Sequence, residues 1–210
     1  MISVVIPTLN SQFTLPRCFD SLITATVRGV VREVIVADGG SSDDTLAVAD
    51  AAGAHIKKGG KSRASQLAAG AAAARSDWLL FLHPETALDP GWETEVEAFI
   101  GRSVLERQRA AVFRFGVDEF DDGARRAEAF AALRCWLFKR PYGDQGLLLS
   151  KRFYKQLGGY RDTAREDIDL VRRIGARRLV MLRSRAVNKK AVREHFHAAP
   201  AAAQDLLASD

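Results

Sequence analysis

Four charged residues, Asp38, Arg63, Glu85 and Asp167, stand in that order where a strand or helix is expected to begin or end. Asp38 follows an apolar strand and precedes Gly39-Gly40. An acceptor there can take hydrogen bonds from a base or a ribose, or it can close an Asx-turn. Arg63 is a cation at an expected helix N-terminus, where it opposes the macrodipole. An anion held by the free N–H groups and the guanidinium together removes that penalty. Gly59, Gly60 and Lys61 extend this into a phosphate cradle; the other reading is a solvated basic loop. Neither a P-loop nor a dinucleotide-binding glycine fingerprint is present.

Trp78 to Leu82 is an uncharged apolar run, a strand buried on both faces, which stops at His83-Pro84-Glu85-Thr86. A buried carboxylate must be paired or bind a metal, and open α/β sheets bind ligands at the carboxyl ends of their strands. Glu85 is either such a group or the solvated end of a turn. Glu166-Asp167-Ile168-Asp169 opens a helix whose spacing puts Asp167, Leu170, Val171 and Ile174 on one face. Asp167 then begins the buried face, kept ionised by the dipole as a general base needs. Glu166, Asp169 and Arg173 fall on a more exposed face, with the two acids compensating the dipole. His55 reads as structural, and His195 and His197 as solvated.

The elements that must position these groups alternate along the chain. Strands are expected at 3–6, 31–37, 54–57, 78–82, 111–117, 147–149 and 179–182. One helix keeps Leu15, Cys18, Phe19 and Leu22 on a common face. Ser41 with Asp44 resembles a capping box, so a second helix begins there and stops at Gly53. Others run over 63–75, from an Asp89 N-cap with Pro90 at the first turn, over 124–138, over 153–157 and over 166–175. Strands alternating with helices indicate an α/β fold with a mostly parallel sheet covered on both sides. Residues 1–183 form the domain, and 184–210 are its peripheral C-terminal segment or a loose tail.

The chain has 210 residues, 47% hydrophobic and 27% charged, with a formal net charge of +5. This is ordinary for one soluble domain, and the positive balance suits anionic ligands. The arginines are scattered rather than striped with aromatics, which excludes a nucleic-acid binder. Cys18 and Cys135 lack metal-ligand spacing. No apolar run is long enough to span a bilayer. The expected location is the cytoplasm or the inner surface of its membrane, and the composition does not specify an oligomeric state.

Taken together these stretches resemble a family 2 glycosyltransferase of the GT-A fold over residues 2–182. Ser3 to Asn10 looks like the first strand and nucleotide-binding turn, and Val34 to Thr45 like the second motif. Arg63-Ala64-Ser65-Gln66, Leu82 to Thr86 with Pro90-Gly91-Trp92, Tyr142 to Gly146, and Glu166-Asp167 before Leu170 to Arg173 are similar to the rSAM/selenodomain-associated branch. The resemblance implies sugar transfer from a nucleoside-diphosphate sugar to a hydroxyl of a saccharide, lipid carrier or small molecule, with inversion. Asp38 would contact the nucleoside, with Pro7, Thr8 and Asn10 as the pocket wall, and Arg63 would reach the diphosphate. Glu85 would hold Mg²⁺ or Mn²⁺, Asp167 would be the base, and Asp144 and Gln145 would line the acceptor side. The branch reads His-Ala-Asp-Thr where this chain has His83-Pro84-Glu85-Thr86. That departure motivates an alternative, a non-catalytic nucleotide-sugar binding relative with a degenerate metal motif. A nucleotidyltransferase would want a glycine-rich basic loop after the first strand, where this chain has Pro7-Thr8-Leu9-Asn10.

Overall fold

The computed structural model describes residues 1–103, 108–116 and 145–188. The helix expected over 124–138 lies outside these residues, as do Cys135, Asp144, His195 and His197. The described residues build one eight-stranded sheet. Its strands are β1 (Ile2–Thr8), β2 (Val31–Asp38), β3 (His55–Lys58), β4 (Trp78–Phe81), β5 (Thr86–Leu88), β6 (Ala110–Gly116), β7 (Leu147–Ser150) and β8 (Leu179–Asn188), in the spatial order β3-β2-β1-β4-β7-β6-β8-β5. β3, β2, β1 and β4 run parallel, as do β6 and β8; the other three pairings are antiparallel.

Side chains alternate across this sheet with the period of two that a pleated strand imposes. Val4, Ile6, Leu80, Leu82 and Leu148 pack against α1 (Leu15–Asp20), α2 (Ile23–Val27), α3 (Thr45–Ala51) and α5 (Trp92–Ser103). Val5, Leu79, Phe81, Leu147 and Leu149 pack against α4 (Arg63–Ala73), α6 (Lys151–Gln156) and α7 (Glu166–Ile174). Leu79, Leu80 and Leu82 are fully buried, each worth about 1.5–3 kcal/mol. A hydrogen bond or two in the turn that follows contributes less, so the core fixes where β4 ends and hence where His83 and Glu85 stand. α4 lies close on β1, since a Cβ on Gly70 would sit 2.3 Å from Val5 Cγ1.

Several local expectations are corrected. β1 continues through Pro7 to Thr8 although it is a central strand. Leu82 N donates to Val5 O and Gly39 N to Thr8 O, so alternation aims the Pro7 nitrogen to the β4 side, beyond the last β1–β4 pair. The missing N–H therefore breaks no ladder bond. The helix carrying Leu15 to Leu22 is two short helices, with Ser21 Oγ bonded to Cys18 O at the break. Ser41 does not cap α3; its hydroxyl turns back to Asp38, and the helix begins at Thr45, whose amide donates to Asp43 Oδ1. α5 begins at Trp92 rather than Pro90, because Gly91 takes φ +89°, and Asp89 instead pairs with Arg185 at 2.7 Å. β5 has no counterpart in the sequence reading. β8 runs six residues beyond Leu182, where Arg185, Ala186 and Val187 pair with β6, and 186–188 with β5. Its solvent-facing arginines disguise it as a solvated basic segment. Among the described residues no helix is long and apolar enough to cross a membrane.

Candidate active site

The parallel register brings Thr8 opposite Asp38 at the carboxyl ends of β1 and β2. The Asp38 carboxylate is buried and accepts four hydrogen bonds: from Thr8 Oγ1 (3.0 Å), Ser41 Oγ (2.5 Å), Gly40 N (2.8 Å) and Ser41 N (2.8 Å). Burial alone would raise its pKa, but the Ser41, Gly40 and Thr8 donors outweigh it and hold the carboxyl below the usual range. The Asx-turn reading therefore holds for this carboxylate. Asn10, at φ +52°, ties the first loop to the second: its amide donates to Ser41 Oγ and its Oδ1 accepts from Ser42 N. Asparagine tolerates that left-handed conformation better than most residues. Pro7 and Thr8 are buried beneath this pair of loops.

A second cluster forms on the α4/α7 side of the sheet. Ser62 caps α4 by accepting from Ser65 N, and Lys61 is exposed. Arg63, the first residue of α4, directs its guanidinium to α7: Nε is 3.3 Å from Glu166 Oε1 and Nη1 is 4.0 Å from Asp167 Oδ2. Nη1 is also 3.5 and 3.4 Å from the two ring nitrogens of His83. His83 Nε2 lies 3.7 Å from Asp167 Oδ2. The Tyr160 phenol stands beside Asp167, and its ring packs edge-on against Phe81 at 5.0 Å. Burial would raise the Asp167 pKa, but His83, Arg63 and Tyr160 outweigh it and keep the carboxyl below its usual range. Burial, then the Asp167 charge, push the Tyr160 phenol well above 10, so it remains a donor.

Asp167 is thus an ionised, mostly buried carboxylate at a helix N-terminus, able to accept a hydroxyl proton. Arg63 is half exposed and able to meet an anion. Glu166 is a correction: at 12% side-chain exposure it is as buried as Asp167, at 17%, and it pairs with Arg63 in addition to compensating the helix dipole. Asp169 pairs with Arg173 at 2.5 Å, and the Arg173 guanidinium also donates to Leu157 O and Gly159 O, which anchors α7 to the Gly158-Gly159 turn.

His83 to Thr86 is a β-turn closed by Thr86 N on His83 O at 3.0 Å. Pro84 holds the second position, where its fixed φ is favoured, and φ at Glu85 is not positive, which suits a type I turn. His83, at the first position of the turn, meets Asp167, and the Glu85 charge acts on the Cys18 thiol. Burial first, and Glu85 second, push the Cys18 thiol up to about 12. Glu85 is partly exposed and offers hard oxygen ligands. Among the described residues no three His, Cys, Asp or Glu gather around one point. One carboxylate completed by phosphate oxygens and water is the arrangement Mg²⁺ and Mn²⁺ accept. Gln145 is buried just ahead of β7.

The sequence reading misses Tyr160 and the pairing of His83 with Asp167. Tyr160 carries no local signal beyond the glycine pair before it. His83 is visible only as an awkward residue at a strand end, since its partner lies on a helix far along the chain.

A mixed sheet with its polar clusters beyond the carboxyl ends of β1, β2 and β4, and helices on both faces, is the GT-A fold. The chain belongs to glycosyl transferase family 2, whose model matches residues 3–128. It is 27% identical over 167 residues to the PGL/p-HBAD biosynthesis glycosyltransferase of Mycobacterium tuberculosis, covering 76% of this chain and 63% of that protein. The chain thus spans under two thirds of that relative's length. S. aureus TarS 1-349 superposes with a TM-score of 0.67 at 13% identity, covering 90% of this chain and 60% of that one. Glucosyl-3-phosphoglycerate synthase from M. tuberculosis, solved in complex with Mn²⁺, UDP and glucosyl-3-phosphoglycerate, superposes with a TM-score of 0.61 at 21% identity over 94% of this chain and 75% of that one.

Proposed function

We propose that this chain is an inverting glycosyltransferase that moves a sugar from a nucleoside-diphosphate sugar to an acceptor hydroxyl. The observation that carries the reading is the convergence of Arg63 and Asp167 beside the strand-end turn at His83. A cation for the leaving diphosphate and an ionised base for the incoming hydroxyl then share one site. Asp167 takes the hydroxyl proton as the acceptor oxygen bonds to the anomeric carbon. The bond from that carbon to the diphosphate breaks on the opposite side, and Arg63 receives the negative charge that appears there. Tyr160 and His83 hold the base in place. Glu85 would hold Mg²⁺ or Mn²⁺, which when bound supplies further charge neutralisation at the diphosphate.

Asp38 and Asn10 shape the loops that form the nucleoside wall with Pro7 and Thr8. Asp144 and Gln145 are assigned to the acceptor side. The rSAM/selenodomain-associated branch and an inner-membrane or cytoplasmic location belong to the same proposal, supported by the motifs at Arg63, His83 and Glu166. The test is turnover on a panel of sugar nucleotides with Mg²⁺ or Mn²⁺, with the product anomer read by NMR. Asp167→Asn is expected to lower turnover by roughly 10²–10⁴-fold while UDP or GDP still binds. Absence of binding and hydrolysis across the panel, or an unaffected Asp167→Asn variant, would sink the reading. Nucleotide binding without turnover would make the chain the non-catalytic relative.

A further inference from the structure

We propose that Glu166 is a gate on the diphosphate site, its carboxylate competing with the donor's diphosphate for the Arg63 guanidinium. The inference rests on the assignment of Arg63 to the diphosphate. Glu166 Oε1 lies 3.3 Å from Arg63 Nε, on the inner flank of a side chain that is otherwise half exposed. Asp167 adds a second carboxylate at 4.0 Å from Nη1. One guanidinium facing two carboxylates has a local sum of one negative charge. An incoming diphosphate meets that sum, not a free cation, until Arg63 exchanges partners.

The exchange is cheap for Glu166. It is the first residue of α7, where the helix dipole and the free amides stabilise a carboxylate. Releasing Arg63 therefore does not leave a buried charge with nothing to offset it. Asp167, by contrast, keeps His83 and Tyr160 when Arg63 moves. The two adjacent acids thereby divide their work: Asp167 stays at the reaction centre, and Glu166 sets how much donor is needed to claim Arg63. His83, with Nη1 near both of its ring nitrogens, marks the other side of the position that Arg63 would leave.

The alternative is that Glu166 orients Arg63 for the diphosphate, and the two ideas predict opposite signs. UDP and GDP are titrated calorimetrically, at fixed Mn²⁺, into wild type, Glu166→Gln, Arg63→Ala and the double variant. Glu166→Gln is expected to bind the nucleotide roughly two- to fivefold more tightly, the scale of a partly exposed ion pair. That gain should vanish in the Arg63→Ala background and shrink as salt is raised to 1 M. Glu166→Asp, which withdraws the carboxylate by one methylene, should shift affinity in the same direction by less, and it serves if the Gln variant does not fold. Equal or weaker binding by Glu166→Gln, or the same gain without Arg63, overturns the gate while leaving the glycosyltransferase reading intact. If wild type and all variants fail to bind either nucleotide, the diphosphate assignment of Arg63 falls and the gate with it.

Discussion

The two halves of the site are built by different physics. Around Asp38 every contact is a short hydrogen bond of 2.5–3.0 Å between neighbouring segments. Around Asp167 the groups come from α4, the turn after β4, the segment before α7 and α7 itself, and its ion-pair distances run from 3.7 to 4.0 Å. The first half is a finished piece of backbone architecture. The second is held by charge, tolerates rearrangement and keeps a half-exposed cation in reach of solvent. A ligand meeting the first must fit a shape; a ligand meeting the second can exchange partners with it.

The contrast is broken most severely at Asp38. Asp38→Ala strands the Gly40 and Ser41 amides and the Thr8 hydroxyl, an expected loss of about 1–3 kcal/mol, read by chemical denaturation. The acid dependence follows from the lowered pKa. A carboxyl with a folded value below its unfolded one contributes stability that is complete above the ordinary value of 3.8 and is lost as pH falls through the lower folded value. The gap between wild type and Asp38→Asn should therefore be constant from pH 7 to about 5 and close as pH falls further. A gap that persists unchanged to pH 2 would show that the hydrogen bonds do not favour the ionised form.

A smaller effect sharpens the other half. Tyr160→Phe removes the hydroxyl that lowers the Asp167 carboxyl pKa while keeping the ring against Phe81 and Tyr154. The carboxyl pKa should rise, moving the acid limb of kcat/KM to higher pH, with a loss of about 0.5–1.5 kcal/mol in transition-state stabilisation. An unmoved limb would remove Tyr160 from the site. The smallest effect is that of salt. Arg63→Ala should change thermal stability by about 1 kcal/mol in dilute buffer and by less at 1 M NaCl, whereas the Asp38→Ala loss should be insensitive to salt.

How legible each half is in the sequence follows from the same difference. Asp38, Gly39 and Gly40 close their turn with local donors, and β1 and β2 are adjacent in both chain and sheet, so a short run of residues specifies the geometry. Arg63 and Asp167 are readable as a helix-start cation and a helix-start acid. Their meeting is not, because it depends on α4 and α7 packing on the same face of the sheet. Glu166 reads as a dipole partner until the fold shows it buried against Arg63. In the fold, β8 is legible only as far as Leu182; beyond it Arg183 and Arg185 mask strand residues that the core has already committed to β6 and β5. β5 is only three residues long, too short for any period to register.

The turn at His83–Thr86 has one more consequence, and it concerns length rather than chemistry. His83 meets Asp167 on the α7 side, so the turn is a gauge block of fixed length between β4 and β5. β4 is pinned behind it by its buried leucines, and β5 ahead of it by its pairing with β8. Replacement of Pro84 or Glu85 leaves that spacing intact. Insertion or deletion of a single residue does not, because it must move either the histidine away from Asp167 or β5 out of register with β8. Point changes that spare His83 are therefore the edits this segment absorbs without losing that contact or the β5 pairing.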